Sequence, residues 1–340
     1  MKRRLLIQLA SALVLLLVSG LSLSQGRDDE LTIRKNLKAE VAHTFDVGNI
    51  DELEHLSSMY REARSRTPSG IWKLTIFYNA IRDMVQEQVI SQGPVSVNSL
   101  ASTAEAWMKK YPKSPSAMVA NGLIMQERAW MIRGHGYANT VSPEAWVAFG
   151  KAIEEVRKYF ETIKGDASAD PGWYCEMANI AKAQHWNRAR FDNLLSELLD
   201  RHPYYYQALF CMVEYLGPSW YYENAGSIER FADQVVQKTE AEDGKSLYAR
   251  IYWFMIDPPY ADPSIVGENF AIWPKMKVGF EDLVSRYPDA WNLNNFAVYS
   301  CMAHDKKKTA ELLTKIGNLP MISAWPEHLF GYCRKFALQP

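Results

Sequence analysis

"EDLVSRYPDAWNLNNFAVYSCMAHD" runs from Glu281 to Asp305, and its front half is an apolar helical stretch closed by Arg286-Tyr287-Pro288. The same ending occurs at Tyr111-Pro112 after "TAEAWMKK" and at His202-Pro203 after "LLSELLDR". Proline lacks an N–H and clashes with the preceding turn, so each of these positions stops a helix. A second apolar helix follows, as in "YYYQALFCMVEYL" and "AWNLNNFAVYSCMA". One joint used three times predicts helix hairpins stacked on one another, each burying an apolar face that it cannot bury alone.

The rest of the chain reads the same way. "DELEHLSSMYREARS" sets Leu53, Leu56, Met59 and Tyr60 at helical spacing, and "WKLTIFYNAIRDMV" and "AMVANGLIMQERAWMI" continue it. In "SPEAWVAFGKAIEEVRKYFETI", Ser142 is placed to cap a helix with Pro143 in its first turn. Further helices are expected at 172–186, 188–201, 204–216, 227–241, 246–256, 276–287, 290–303, 306–316 and 325–337. No segment alternates like a strand, so the fold class is all-α. The pairs Pro171/Pro203 and Pro288/Pro320 share one spacing, and it is close to the ~34-residue period of tetratricopeptide repeats. "CMAHDKKKTAELLTKIGNLP" resembles the second half of such a repeat, with its turn at Ala303-His304-Asp305. The consensus triplets of that family are missing and the period breaks mid-chain. The expected architecture is therefore an irregular α-solenoid of tetratricopeptide-like antiparallel helix pairs.

The 340 residues are 48% hydrophobic and 23% charged, with a formal net charge of −1. Such a chain can bury a large core, and it has no basic stripe of the kind nucleic acid needs. At the N-terminus Lys2, Arg3 and Arg4 precede an apolar run from Leu5 to Val18, and Ser22-Leu23-Ser24 offers small residues for cleavage. A signal peptide over 1–24, cleaved after Ser24, is expected, with an uncleaved anchor as the alternative. The compartment read from this is the periplasm. Residues 25–43 then read as a linker and 44–340 as the helical-repeat domain. Four cysteines remain, Cys175, Cys211, Cys301 and Cys333. Equivalent helices in successive repeats are offset by ~8–10 Å, whereas a disulfide needs Cα atoms within ~7 Å. Buried free thiols are the expectation, and pairing in an oxidising compartment stays open.

Longer phrases add a resemblance. "YREARSRTPSGIWKLTIFY" (60–78), "RGHGYANTVSPEAWVAF" (133–149), "YARIYWFM" (248–255) and "FEDLVSRYPDAWNLNNFAVYSCMAHD" (280–305) are similar to an uncharacterised bacterial family, the domain of unknown function number 4034. The resemblance extends over roughly 44 to 320. It implies a helical, tetratricopeptide-like fold and brings no activity with it.

Chemistry is sparse in the sequence. There is no nucleophile elbow, phosphate loop, dinucleotide fingerprint or Cys-x-x-Cys, and the seven His are scattered. His202 stands where Tyr111 and Tyr287 stand in the other joints, which is a structural role. No catalytic residue, metal or cofactor is expected. Three groups are candidates for ligand or partner binding. Arg133, Tyr137, Asn139 and Trp146 surround the loop "RGHGYANTVSPEAW", which reads either as a helix-ending turn or as a pocket for a small polar ligand or a peptide end. Trp291, Asn292 and Asn295 open a helix whose face, in a solenoid, would hold an extended peptide by its backbone, or would bond only to neighbouring repeats. Arg250 and Tyr252 adjoin a loop rich in Pro and Asp, anchored by Tyr260 and Trp273. The leading expectation is a non-enzymatic, exported module that binds a protein or peptide. The rival is a small-ligand binder or envelope enzyme near the 133–146 loop, with Tyr137, Asn139, Arg250 and Trp291 converging.

Overall fold

The computed structural model describes residues 29–92, 98–134, 136, 138–217, 220, 225–256, 272–318 and 320–338. The expected signal peptide (1–24), His135, Tyr137 and the loop holding Tyr260 lie outside the described residues. Among the described residues the chain forms sixteen α-helices and no strand beyond one isolated bridge, Arg66 to Trp72. The all-α reading is thereby met.

The helices are α1 (Glu30–Asp46), α2 (Ile50–Glu62), α3 (Lys73–Gln92), α4 (Asn98–Lys110), α5 (Pro115–Arg133) and α6 (Pro143–Thr162). After the single turn α7 (Lys164–Ala167) come α8 (Gly172–Ala183), α9 (Arg188–Arg201), α10 (Tyr206–Tyr215), α11 (Ala225–Asp243) and α12 (Ser246–Ile256). The last four are α13 (Trp273–Arg286), α14 (Ala290–Met302), α15 (Lys306–Ile316) and α16 (Leu329–Leu338).

Two kinds of helix alternate. α5, α8, α10, α12 and α14 are apolar almost all round and are buried along most of their length, as in Trp173 to Ala181 and Leu247 to Trp253. α9, α13 and α15 bury a single stripe, for example Phe191, Leu194, Leu195, Leu198 and Leu199 on α9. A helix apolar on all sides needs cover on all sides, and an amphipathic one needs it on one. The buried series accordingly packs in succession, α8 on α10 and α10 on α12, with the amphipathic helices laid outside.

The three proline joints have one geometry. The amides of Tyr111, His202 and Tyr287 donate to the carbonyls of Trp107, Leu198 and Leu283, closing the last turn. The chain then turns and the next buried helix starts within four residues. Ser142 caps α6 by accepting from the Ala145 amide, with Pro143 in the first turn.

Two expectations are corrected. Within the stretch assigned to a linker, 25–43, residues 30–43 instead belong to α1, which packs on α3 and buries Val41 and Phe45. Its contacts are largely polar, through Glu30, Arg34 and Lys38, so its apolar periodicity is weak. The cysteines pair, Cys175 with Cys211 and Cys301 with Cys333, at Cα separations of 5.3 and 5.8 Å. The ~8–10 Å offset applies to helix axes, whereas facing Cα atoms are nearer by two backbone radii of ~2.3 Å each.

Early and late parts of the chain meet. The loop between α2 and α3 reaches α12 and α14, far along the chain. The buried Ser69 carbonyl accepts from Arg250 Nη2 at 2.5 Å and from Asn292 Nδ2 at 3.1 Å. On its other side Ser69 donates through its amide (2.9 Å) and hydroxyl (2.7 Å) to Glu30 of α1. Glu30, 1% exposed, also accepts from Thr67 and Arg34, so a buried carboxylate is satisfied by four donors. The result is a seam where the first helix, an early loop and the late buried helices come together.

Candidate functional site

A cleft of about 300 Å³ opens along this seam. α1 contributes Arg34 and Lys38, which are four residues apart and therefore share a face. The loop before α3 brings Ile71 and the start of α3 brings Thr75, Ile76 and Asn79; α10 brings Gln207 and Phe210. α12 adds Arg250, Trp253 and Phe254, and α14 adds Trp291. Its volume lies at the lower end of the range for small-ligand sites.

The aromatic walls are built in pairs. Phe210 and Phe254 stack at 4.9 Å between centroids, and Trp253 stacks on Trp291 at 6.2 Å. The Arg34 guanidinium lies 5.7 Å from the Trp291 ring centre, a cation–π approach that orients both side chains.

The cations differ in setting. Lys38 pairs with Asp83 at 2.5 Å, and both side chains remain about two-fifths exposed, at 40% and 43%. Arg34 is held by Glu30 at 2.6 Å. Arg250 is 4% exposed and stands over the Tyr206 ring at 5.0 Å. Burial pushes its pKa below the ordinary value, with the nearby tyrosines and Asp243 working against that. Among the described residues no carboxylate forms an ion pair with Arg250, and its Nε has no hydrogen-bond partner.

Two other hollows lack this convergence. A groove of about 470 Å³ between α15 and α16 is lined by Leu313, Phe330 and Leu338, with Arg334 as its charged residue. A shallow depression of about 520 Å³ beside Tyr111 and Lys113 sits at the α4–α5 joint.

The nine residues proposed from sequence separate into distinct places. Arg250 and Trp291 meet in the cleft. Tyr252, two positions from Arg250, points to the other side of α12, because successive residues on a helix are ~100° apart. There its hydroxyl donates to Glu229 at 2.7 Å, beside Tyr248 and Lys275. Asn292 is fully buried and donates to the backbone of its own chain at Ser69 and Tyr287. Asn295, 5% exposed, donates to the Trp291 carbonyl of its own helix.

Arg133 and Trp146 form a separate group. The Arg133 guanidinium lies 5.1 Å from the Trp146 ring and 5.8 Å from the Trp130 ring, with Phe149 beside both indoles. Arg133 also donates to the carbonyls of Gly134 and Gly136, which ties the loop down. Asn139 is exposed in a short 3₁₀ turn. None of these residues lines the seam cleft.

His202 makes a structural contact, its Nε2 lying 3.0 Å from the Ser168 carbonyl, and burial lowers its pKa. Of the lining residues, the sequence reading proposed only Arg250 and Trp291 as site residues; among those it missed are Arg34, Lys38, Asn79, Gln207, Phe210 and Phe254. The Arg34/Lys38 spacing was the available signal, hidden by the linker reading. Among the described residues no cluster of His, Cys, Asp and Glu is arranged to hold a metal ion.

No curated protein matches the chain, and no solved structure matches it. The phrases at 248–255 and 280–305 fall outside the stretch that a family model recognises, and so do Arg34, Arg250 and Trp291 of the cleft. That stretch, residues 42–165, includes Ile71, Thr75, Ile76 and Asn79, and it matches the model of a domain of unknown function (DUF4034).

Proposed function

We propose that the chain is a non-catalytic binding module of the bacterial cell envelope, exported by its N-terminal segment, which engages a protein or peptide partner at the seam cleft. The observation that carries this reading is the cleft itself, where aromatic walls and cations from α1, α3, α10, α12 and α14 converge. An extended peptide held by Asn292 is disfavoured, because that side chain is fully buried and its Nδ2 already donates to Ser69 and Tyr287. The two disulfides fit an oxidising compartment. Fractionation of the native host should then find the chain in the periplasm, beginning at Gln25.

Trp291→Ala tests the cleft. Trp291 is only partly buried and contributes a wall rather than the core. Cross-linked capture from envelope extract, read by mass spectrometry, should yield one stoichiometric partner with the native chain. The variant should capture at least tenfold less, with its melting temperature lowered by a few degrees. Equal capture by both chains would remove the cleft from the interaction. A large fall in melting temperature with capture intact would return Trp291 to the core.

A further inference from the structure

We infer that the seam cleft selects an organic carboxylate attached to an apolar or aromatic body, whether at the end of a peptide chain or on a free small molecule. The inference rests on the cleft being the binding site and goes on to name what it binds. Its lining carries three cations, Arg34, Lys38 and Arg250, and no carboxylate. Two of them pair with acids that do not line the cleft: Arg34 with Glu30, itself held by four donors, and Lys38 with Asp83, a pair that stays about two-fifths exposed. Arg250 is the second, independent observation. It is buried without a carboxylate partner, and its Nε has no acceptor among the described residues. A buried guanidinium ordinarily has an anion against it.

The α3 helix begins at Lys73, so its positive end adds to the same field at Thr75 and Ile76. The rest of the lining argues for the body of the ligand. Stacked Phe210 and Phe254, with the indoles of Trp253 and Trp291, offer flat apolar walls that a bare inorganic anion would leave unused. One charged end and one flat apolar body together match the cleft.

The test uses the purified full-length chain and calorimetric or tryptophan-fluorescence titration. The probes are N-acetyl-phenylalanine, its amide, a pentapeptide ending in phenylalanine with free or amidated C-terminus, and inorganic phosphate. The free acids should bind at least tenfold more tightly than the amides, and more tightly than phosphate. Affinity for the acids should fall as salt rises. Lys38→Gln should weaken acid binding several-fold and leave amide binding unchanged, with little change in melting temperature. Tight binding of the peptide acid would assign the ligand to a chain end, and binding of N-acetyl-phenylalanine alone would assign it to a small molecule. Equal binding of acid and amide, preferential binding of phosphate, or no binding of any probe would overturn the inference. If no acid binds while Trp291→Ala still abolishes capture, the ligand class is wrong and the binding module stands. If acids bind while capture ignores Trp291, the module reading fails and the ligand class stands.

Discussion

Asp305 shows how much one side chain can fasten. It caps α15 by accepting from the Lys308 amide at 3.0 Å, and it also accepts from Lys277 Nζ at 2.9 Å and the Trp273 indole at 3.1 Å. Burial works to raise its pKa, but the hydrogen bonds from Lys277, the Lys308 amide and Trp273 prevail and bring it down to about 2. A carboxylate depressed in the folded state contributes stability above its unfolded pKa, and that contribution is lost as pH falls through the folded one. Solvent still reaches part of the group, so the contribution is about 1 kcal/mol at neutral pH. Asp305→Ala should cost about 1–3 kcal/mol in urea denaturation at pH 7, cap included. The gap to the native chain should narrow as pH drops from 5 towards 2, and a pH-independent gap would refute the assignment. The turn at this residue was legible in sequence, because Asp before a helical run is a cap signal. Its ties to Trp273 and Lys277 were not, since they depend on how α13 settles against α15. The same limit applies to Asn292, whose type suggested backbone recognition but whose partner, Ser69, lies more than two hundred positions away.

At the scale of elements, the buried helices and the proline joints were readable because stop signals and apolar periodicity are local. Expected and observed limits agree exactly for 188–201, 246–256 and 306–316, and other ends shift by a few residues. What failed was α1, which buries Val41 and Phe45 at its end but packs its first half through Glu30, Arg34 and Lys38, so its apolar period is weak, and with it went Arg34 and Lys38 of the cleft. The cysteine pairing was misjudged for a geometric reason, the confusion of axis spacing with Cα spacing. One disulfide links the buried helices α8 and α10, and the other ties the mostly exposed α16 to the buried α14, at sequence separations of 36 and 32. Closing loops of that length stabilises a chain by about 3–4 kcal/mol each in the entropic model. Maleimide labelling in denaturant should find no free thiol before reduction and four after it. Replacing Cys301 and Cys333 by Ser should raise hydrogen exchange over 329–338 while α8 and α10 keep their protection. Free thiols in protein taken from an oxidising compartment would refute both bridges.

For the whole molecule, the seam turns a chain of local contacts into a closed one. A linear repeat array couples only neighbours and can unfold from either end. Here Ser69 joins Glu30 on one side to Arg250 and Asn292 on the other, so opening the late helices exposes the early loop as well. Gly70 is the point at which this coupling can be cut. It has φ +92°, and a Cβ there would come within 2.8 Å of the Tyr287 ring and 2.9 Å of Arg250 Nη2. Gly48, in the turn between α1 and α2, has φ +67° but open space around it, so it isolates the backbone cost of the same change. Gly48→Ala should destabilise by about 1 kcal/mol and leave a single cooperative transition. Gly70→Ala should cost about 2 kcal/mol or more, because backbone strain and overpacking add. It should also lower hydrogen-exchange protection together in 63–72 and at the start of α14, with α8 and α10 unchanged. If the two alanine variants behave alike, the seam is a passive contact, and the two ends of the chain fold without reference to each other.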